Sequence, residues 1–414
     1  MSKESFSVEI GILGGGVAGL SVALALRKQG YNPRVYERRA APATMGAGVT
    51  LWPNASFVLE ELGLLQDIEA ISGRPQAMRR QDAAGNALGG LDIGLLDRTM
   101  GYPTYTVLRR HLQELLLDHA ARAGIPVEFG RRAVAIELDA HGRAVAHFEN
   151  GASIRPDLLI GADGRMESVA RKFVAGDNTP IYQGFVNWIG VAQGPHALVD
   201  DISIQDFWGA GERFGCVAIR PDLVYWAAAQ ARPLHEATPT ADMRKEVEDL
   251  FAGWPEPVSG IIRATPENAI RLIAVHDLEP LHTWSRANVL LIGDAAHAPL
   301  PTSGQGACQA LEDAWHLARC LDARGGLDDV FQAFARIRAP KTARLAEQGR
   351  VFARGLFATD PEICRIRNER AKASDPVSDV QALAAGWGQG LPMPGYTDGT
   401  PAQGCGLGSL YRIE

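Results

Sequence analysis

The 414-residue chain is 46% hydrophobic and 21% charged, the balance of an ordinary globular protein with room for one large core or two domains. Its 41 basic and 48 acidic residues leave a net charge of −7, and no Lys/Arg run exceeds a pair, which excludes a nucleic-acid-binding footprint. Cys216, Cys308, Cys320, Cys364 and Cys405 are scattered and form no CxxC pair. They read as free thiols of a reducing, cytoplasmic compartment, and the ten histidines show no metal spacing.

The first apolar segment, "VEIGIL", reads as a strand over 8–13 because it runs straight into glycines; no leader peptide and no membrane span are expected, since no apolar run approaches ~18 residues. "GGGVAG" follows, then a helical pattern, "LSVALALRKQG", that stops at Gly30, and a second strand, "NPRVYE", ending in Glu37. This is a βαβ unit. Amphipathic helices are predicted over 55–65 and 108–123, and an antiparallel meander over 126–160 around the turns "DAHGR" and "ENGAS". The meander leads into "PDLLIGADG", a buried strand that stops at glycine and aspartate. Aromatic-rich, β-like runs fill 181–275, with one helix near 241–252. "ANVLLIGDAAH" returns to the buried-strand style, and 306–322 and 328–357 are predicted helices. From about 373 Gly and Pro rise and periodicity fades, as in a tail. The sequon-like "NAS" at Asn54 carries no meaning in such a protein.

The chemistry-bearing feature is Gly14-x-Gly16-x-x-Gly19, set between strand and helix with Val17 and Ala18 inside it. Gly14 permits the tight turn, Gly16 lets backbone approach a pyrophosphate, and Gly19 lets helix and strand pack. Glu37, 18 positions after Gly19, is placed to accept ribose hydroxyls, with Arg38 beside it. The bland alternative is a tight βα turn with no ligand. The motif alone does not separate NAD from FAD. Two further strand ends, Gly161-Ala162-Asp163-Gly164 and Gly293-Asp294, suggest one long cofactor stretched over a sheet edge; a dehydrogenase using NAD has no need of the third.

With these motifs, with "GAGVTLWPNA" at 46–55, "LRRHLQELL" at 108–116 and "GDAAHAPLPTSGQG" at 293–306, the chain resembles the class A FAD-dependent aromatic hydroxylases over about residues 8–350. The resemblance implies an α/β fold: a Rossmann-like FAD-binding domain of the p-hydroxybenzoate hydroxylase type, an antiparallel β-rich substrate domain, and C-terminal helices. The FAD domain would comprise 1–75, 100–180 and 279–355. The substrate domain would comprise 181–278, joined by 76–99, and a C-terminal helix and tail would occupy 356–414. It implies FAD held without a covalent bond, NAD(P)H as a transient reductant, and O2 activated as a C4a-hydroperoxyflavin that an electron-rich aromatic ring attacks. It assigns Arg109, with Gln113 one turn on, to the pyrophosphate and ribityl region. Asp294 goes to the ribityl chain, and Gly304, Gln305, Gly306 and Ala307 to the N1–C2=O edge of the flavin, where a helix N-terminus stabilises negative charge. Gly48, Val49, Ala133, Asp163 and Gly293 complete the cofactor-binding candidates. One departure stands out: "DGRMESVAR" places Ser168 and Arg171 five and eight residues after Asp163, one more than in many relatives. Their roles are then open between cofactor contact and, respectively, a helix cap and a solvated arginine.

On the substrate side, "QGFVNWIG" and "GERFGCVAIRPDLVYW" are similar to the urate hydroxylase branch. The resemblance makes Arg213 and Tyr225 the catalytic-side candidates, with Pro301 lining the pocket at the border of cofactor and substrate. A solvent-facing strand arginine and a core tyrosine are the alternative. His297 is read as a packing residue of the GDAA turn. The expected partners are a small aromatic molecule, O2 and NAD(P)H, in a monomer or homodimer. Other readings kept open are a flavin epoxidase or Baeyer–Villiger enzyme, a flavin oxidase or reductase, and a non-catalytic FAD-fold binding protein.

Overall fold

A computed structural model describes residues 8–42, 47–323 and 325–394. Its six-stranded sheet runs in the order Ser285–Arg286, Val289–Leu291, Leu158–Gly161, Glu9–Leu13, Asn32–Tyr36, Val127–Glu128. All neighbours are parallel except the first pair. The central strands are continuous apolar runs, with Ile12, Val35, Leu159 and Leu290 fully buried, because both faces are covered. Helix Val17–Lys28 packs on helix Gly306–Asp322 and on helix Arg109–Arg122. On the other face lies the antiparallel sheet of Ala133–Leu138, Ala144–Phe148 and Ser153–Ile154, the expected meander, although Val127–Glu128 leaves it to join the parallel sheet. In register, Leu13 lies beside Tyr36 and Gly161, and Gly161 beside Leu291. Four parallel strands therefore end at one level.

The second sheet has seven strands in the order Arg271–Asp277, Ile181–Gln193, Leu223–Ala231, Glu212–Arg220, Ile204–Trp208, Ala77–Asp82, Ala87–Asp92. Alternation sorts its side chains. Val186, Trp188, Phe207, Phe214, Cys216, Val224 and Trp226 form a core with Val247, Phe251, Ile261 and Ile262 from the helical segments of 243–263. The residues between them, including Asn187, Ile189, Val191, Asp206, Arg213, Gly215, Tyr225, Ala227 and Ala229, face the other way. On that side Ala229 packs with Leu300, and Tyr225 against Leu108.

The expected fade from 373 is overturned over its first part. Asp375 caps a helix, Pro376–Gly388, by accepting the Ser378 N–H, and this helix buries Val380, Leu383 and Trp387. Pro376 at its first position suits a helix start. The Gly/Pro-rich remainder, 395–414 with Cys405, lies outside the described residues. Among the described residues no helix is long and apolar enough to cross a membrane.

Candidate active site

The aligned strand ends carry Gly14, Asp163, Glu37 and Asp294 to one edge. Gly14 has φ +109°, and a methyl there would overlap the Ala162 carbonyl oxygen. Nothing lies within 4 Å of where a Gly16 Cβ would point, so the backbone is bare on the approach side. Helix Val17–Lys28 begins at Gly16 with no side-chain cap and no acidic residue in its first turn. Its N-terminus therefore presents uncompensated positive dipole. It opens on a cavity of about 620 Å³ lined by Gly14, Gly16, Val17, Glu37, Arg38, Arg109, Gln113, Ala133 and Asp163, with Ile189–Val191 and Arg271–Ile273 of the seven-stranded sheet opposite. Gly19 and Ala18 do not line it; Gly19 packs on the Gly14 carbonyl, and Ala18 on Gly293.

Several candidates spend part of their hydrogen bonding on building the site. Glu37 accepts the Gly15 N–H at 2.7 Å and the Arg39 N–H at 2.9 Å, which fixes its carboxylate at the cavity wall. Gln113 donates to the Gly15 carbonyl at 2.8 Å and so ties helix Arg109–Arg122 to the glycine turn. Arg109 has no side-chain partner among the described residues; its N–H donates to the Ala47 carbonyl. Asp163 accepts from the Ser168 hydroxyl at 2.5 Å and the Ala170 N–H at 3.1 Å, and burial raises the pKa of its carboxyl. The longer "DGRMESVAR" segment thus ends in a helix cap, with Ser168 accepting the Arg171 N–H. Arg171 is not solvated: it is buried and donates to the carbonyls of Ala295, Ala296 and Glu279, pinning the GDAAH turn.

In that turn the Gly293 N–H and the His297 ring both bond Asp313, and His297 stacks on Trp284, the packing role expected of it. The Asp294 carboxylate has no partner among the described residues. Pro301 and Gly304 are exposed, and Leu300 anchors them by packing with Phe185 and Ala229. Helix Gly306–Asp322 again starts without a side-chain cap or an acidic first turn. Gln305 offers that edge its backbone alone. Its side chain is fully buried and accepts from Asn54 and Gln309, and its N–H bonds the Ser303 hydroxyl. Helical spacing puts 305, 309 and 312 on the inner face, so Gln305 turns away from the edge that Gly304, Gly306 and Ala307 present.

Behind that face lies a buried network the sequence did not reveal. Glu312 accepts from Arg338 at 2.5 Å, Lys341 at 2.8 Å and Asn54 at 2.7 Å; Asp313 accepts from Arg338 at 2.8 Å. Lys341 also donates to the carbonyls of Trp387 and Gln389, and burial brings its ammonium down to about 8. The His297 and Arg338 charges hold Asp313 at about 2 against the opposing effect of burial. Trp52 joins network and rim: its N–H donates to the Gly304 carbonyl at 3.1 Å, and its ring packs on Trp387.

The seven-stranded sheet supplies the other wall. Arg213 and Tyr225 lie on the same face; Arg213 is ion-paired and largely buried, and Tyr225 packs against Leu108 and the Gly48–Leu51 strand. A Gly48 Cβ would stand 2.6 Å from the Tyr225 ring, and only glycine allows that approach. Burial pushes the Tyr225 phenol up to about 12, with Arg213 pulling the other way. Arg213 donates to Asp206 at 2.6 Å, and Asp206 also accepts the Trp208 N–H at 2.8 Å. Asp206 went unnoticed in the sequence; only the hairpin register, which pairs Asp206 with Gly215 and Trp208 with Arg213, brings it here.

The model of a family described as "FAD binding domain" matches residues 7–332. The chain belongs to this family. It is 34% identical over 307 residues to an FAD-dependent urate hydroxylase of Klebsiella pneumoniae, covering 73% of this chain and 78% of that one. It is 31% identical over 408 residues to 3-amino-4-hydroxybenzoate 2-monooxygenase of Streptomyces cremeus, covering 95% and 98%. The crystal structure of Klebsiella pneumoniae HpxO with FAD and uric acid superposes with a TM-score of 0.83 at 27% identity, covering 92% of this chain and 98% of that one. The chain is a flavoprotein monooxygenase, and its cofactor is FAD. The geometry fits that group: the bare start of helix Val17–Lys28 and Arg109, without a side-chain partner among the described residues, face the 620 Å³ cavity, and along the same sheet edge stand Asp294, likewise without a partner among the described residues, and the bare start of helix Gly306–Asp322, as donors, counter-charge and hydroxyl acceptor for a dianionic cofactor.

Proposed function

We propose that the protein uses NAD(P)H and O2 to hydroxylate an electron-rich aromatic or heteroaromatic small molecule, related in kind to urate or an aminohydroxybenzoate. The observation that supports this reading is the packing of Leu300, next to Pro301, on Ala229 of the sheet face that bears Arg213 and Tyr225, a few residues before the bare start of helix Gly306–Asp322. FAD, when bound, supplies the electrons and the activation of O2. The chain's own residues bind, orient and exclude water. The N-terminus at Gly16–Gly19 takes the pyrophosphate, Glu37 the ribose, Arg109 the neighbouring phosphate charge, and Asp294 the ribityl hydroxyls. The N–H groups at Gly306 and Ala307 hold negative charge at the flavin edge. Arg213, lying over Gly215, and the neutral Tyr225 phenol orient the ring, while Pro301 borders the pocket. No side chain serves as a nucleophile. NAD(P)H visits without a dinucleotide fold of its own.

The test is a screen of urate, hydroxybenzoates, hydroxypyridines and quinolones for stimulated NAD(P)H oxidation, with ¹⁸O2 incorporation read by mass spectrometry. One ring should accelerate oxidation and gain a single labelled oxygen. A colourless protein that takes up no FAD, or oxidation that yields only peroxide with every ring, would sink the proposal.

A further inference from the structure

The face opposite the cofactor edge is not the cationic clamp that an isolated arginine would make. Arg213 lies flat along its strand: a Cβ on Gly215 would stand 2.8 Å from its Nη2. Its Nε is engaged by Asp206 at 2.6 Å, and the Asp206 side chain is only 6% exposed. The second Asp206 oxygen is fixed by the Trp208 indole, itself 1% exposed. Asp206 therefore cannot swing away. Other arginines of this region stand away from Arg213, Arg367 with Arg80 over the Trp208 ring. Arg80, paired in register with Asp206, stands over the Trp208 ring and near Asp379; Arg271 lies three strands from Arg213, at the sheet edge. What remains facing the ring site is a set of donors with no net charge: the Arg213 Nη groups, the Tyr225 phenol and, across the sheet opposite Ala229, the Asn187 amide.

We infer that this site selects rings presenting uncharged carbonyl or amide-type acceptors, lactam-like in character, over rings bearing a carboxylate. This rests on the proposed placement of the substrate beside Arg213. A carboxylate entering a pocket shed of water gives up its hydration. A lone guanidinium would offset that loss, whereas one already neutralised by a buried carboxylate offers mostly hydrogen bonds. A neutral carbonyl collects the same hydrogen bonds at far smaller desolvation cost.

The test uses the FAD-loaded full chain and a matched pair, 4-hydroxybenzamide and 4-hydroxybenzoate, titrated against the perturbation of the flavin absorbance; 2-quinolone and quinoline-2-carboxylate form a second pair. The neutral member should bind roughly 10-fold or more tightly, equivalent to about 1.4 kcal/mol. Asp206→Asn removes the neutralising charge without changing shape, and should narrow or reverse that ratio. Arg213→Gln leaves Asp206 alone and should widen it. FAD content and thermal unfolding show that each variant is folded. A carboxylate preferred by the unaltered protein, or a ratio that Asp206→Asn leaves unchanged, overturns the charge assignment while the substrate position stands. If no ring of either pair perturbs the flavin, the substrate position itself fails, and this assignment with it.

Discussion

The two walls of the site are built by different means. The cofactor wall is mostly backbone. Helices Val17–Lys28 and Gly306–Asp322 start bare, whereas helices beginning after Asp92, Ser168, Asp242, Asp360 and Asp375 are each closed by a side-chain oxygen. A cap at Gly16 or Gln305 would satisfy the N–H groups that an anion needs; the helices after Trp52, Leu64 and Leu108 also start without one, so a bare start leaves room for a ligand without by itself marking one. The substrate wall is all side chain, Arg213, Asp206, Tyr225 and Asn187, contributed by four strands.

The sharpest way to break the contrast is at the glycines. Gly14→Ala would strain a φ of +109° and force a methyl into the Ala162 carbonyl. It should cost upward of about 3 kcal/mol and yield unfolded or flavin-free protein. Gly16→Ala meets open space. It should melt like the parent without cofactor, by circular dichroism, yet retain little FAD. If both variants fold and hold flavin equally, the cofactor wall is not a backbone site.

The flavin end is expected to blur the contrast, because the turn at Gly304 leans on side chains. Glu312→Gln leaves Arg338 and Lys341, both fully or nearly fully buried, without their shared carboxylate. A loss of about 3–5 kcal/mol in urea unfolding is expected, together with weaker FAD retention. A variant as stable as the parent would mean that water reaches those cations.

The unequal legibility of the walls follows from the same contrast. The GxGxxG, GADG and GDAA turns are contiguous in the chain, and glycine at a strand end announces a backbone requirement. Parallel strands then align them without further information. Asp206 could not be read that way, since nothing near it in sequence separates it from a solvent-facing strand residue until the hairpin register places it beside Gly215. Asn54 reads in sequence only as a meaningless sequon, yet it is fully buried at the start of helix Pro53–Leu62, bonded to Gln305 and Glu312. The motif names Gln305 for its backbone, and only the helical period shows that its side chain turns inward to Asn54 and Gln309. The helix Pro376–Gly388 was hidden by composition: its glycines and alanines carry little periodic signal, and it is held by Asp375 and by docking of Trp387.

The back of the cofactor wall should also respond to acid in a way the substrate wall does not. His316 is buried with no partner for its Nε2, and burial with the Arg338 charge brings its pKa down to about 3. The unfolded chain binds a proton there near 6.5, so the stability it represents is present above that pH and drains as pH falls toward 3. By pH 5 the loss is about 2 kcal/mol. His316→Gln should flatten the decline of melting temperature between pH 7 and 5; an unchanged slope would show that the imidazole is solvated.

The smallest expected effect isolates the substrate wall. The Tyr225 phenol keeps its proton to about 12, against 10 when unfolded, so it is a neutral donor through the whole working range. Its one pH signature is in stability, which it stops favouring only as pH climbs from 10 to 12, because the folded form then holds a proton the unfolded form has lost. Tyr225→Phe keeps the ring that presses on Gly48 and removes a single hydroxyl. FAD content should be unchanged, while ring affinity drops by a factor of roughly 2–10, as for one neutral hydrogen bond. That factor should be the same at pH 6 and pH 9. A loss that grows with pH would require the phenolate, and a loss of FAD would move Tyr225 from the substrate wall to the cofactor wall.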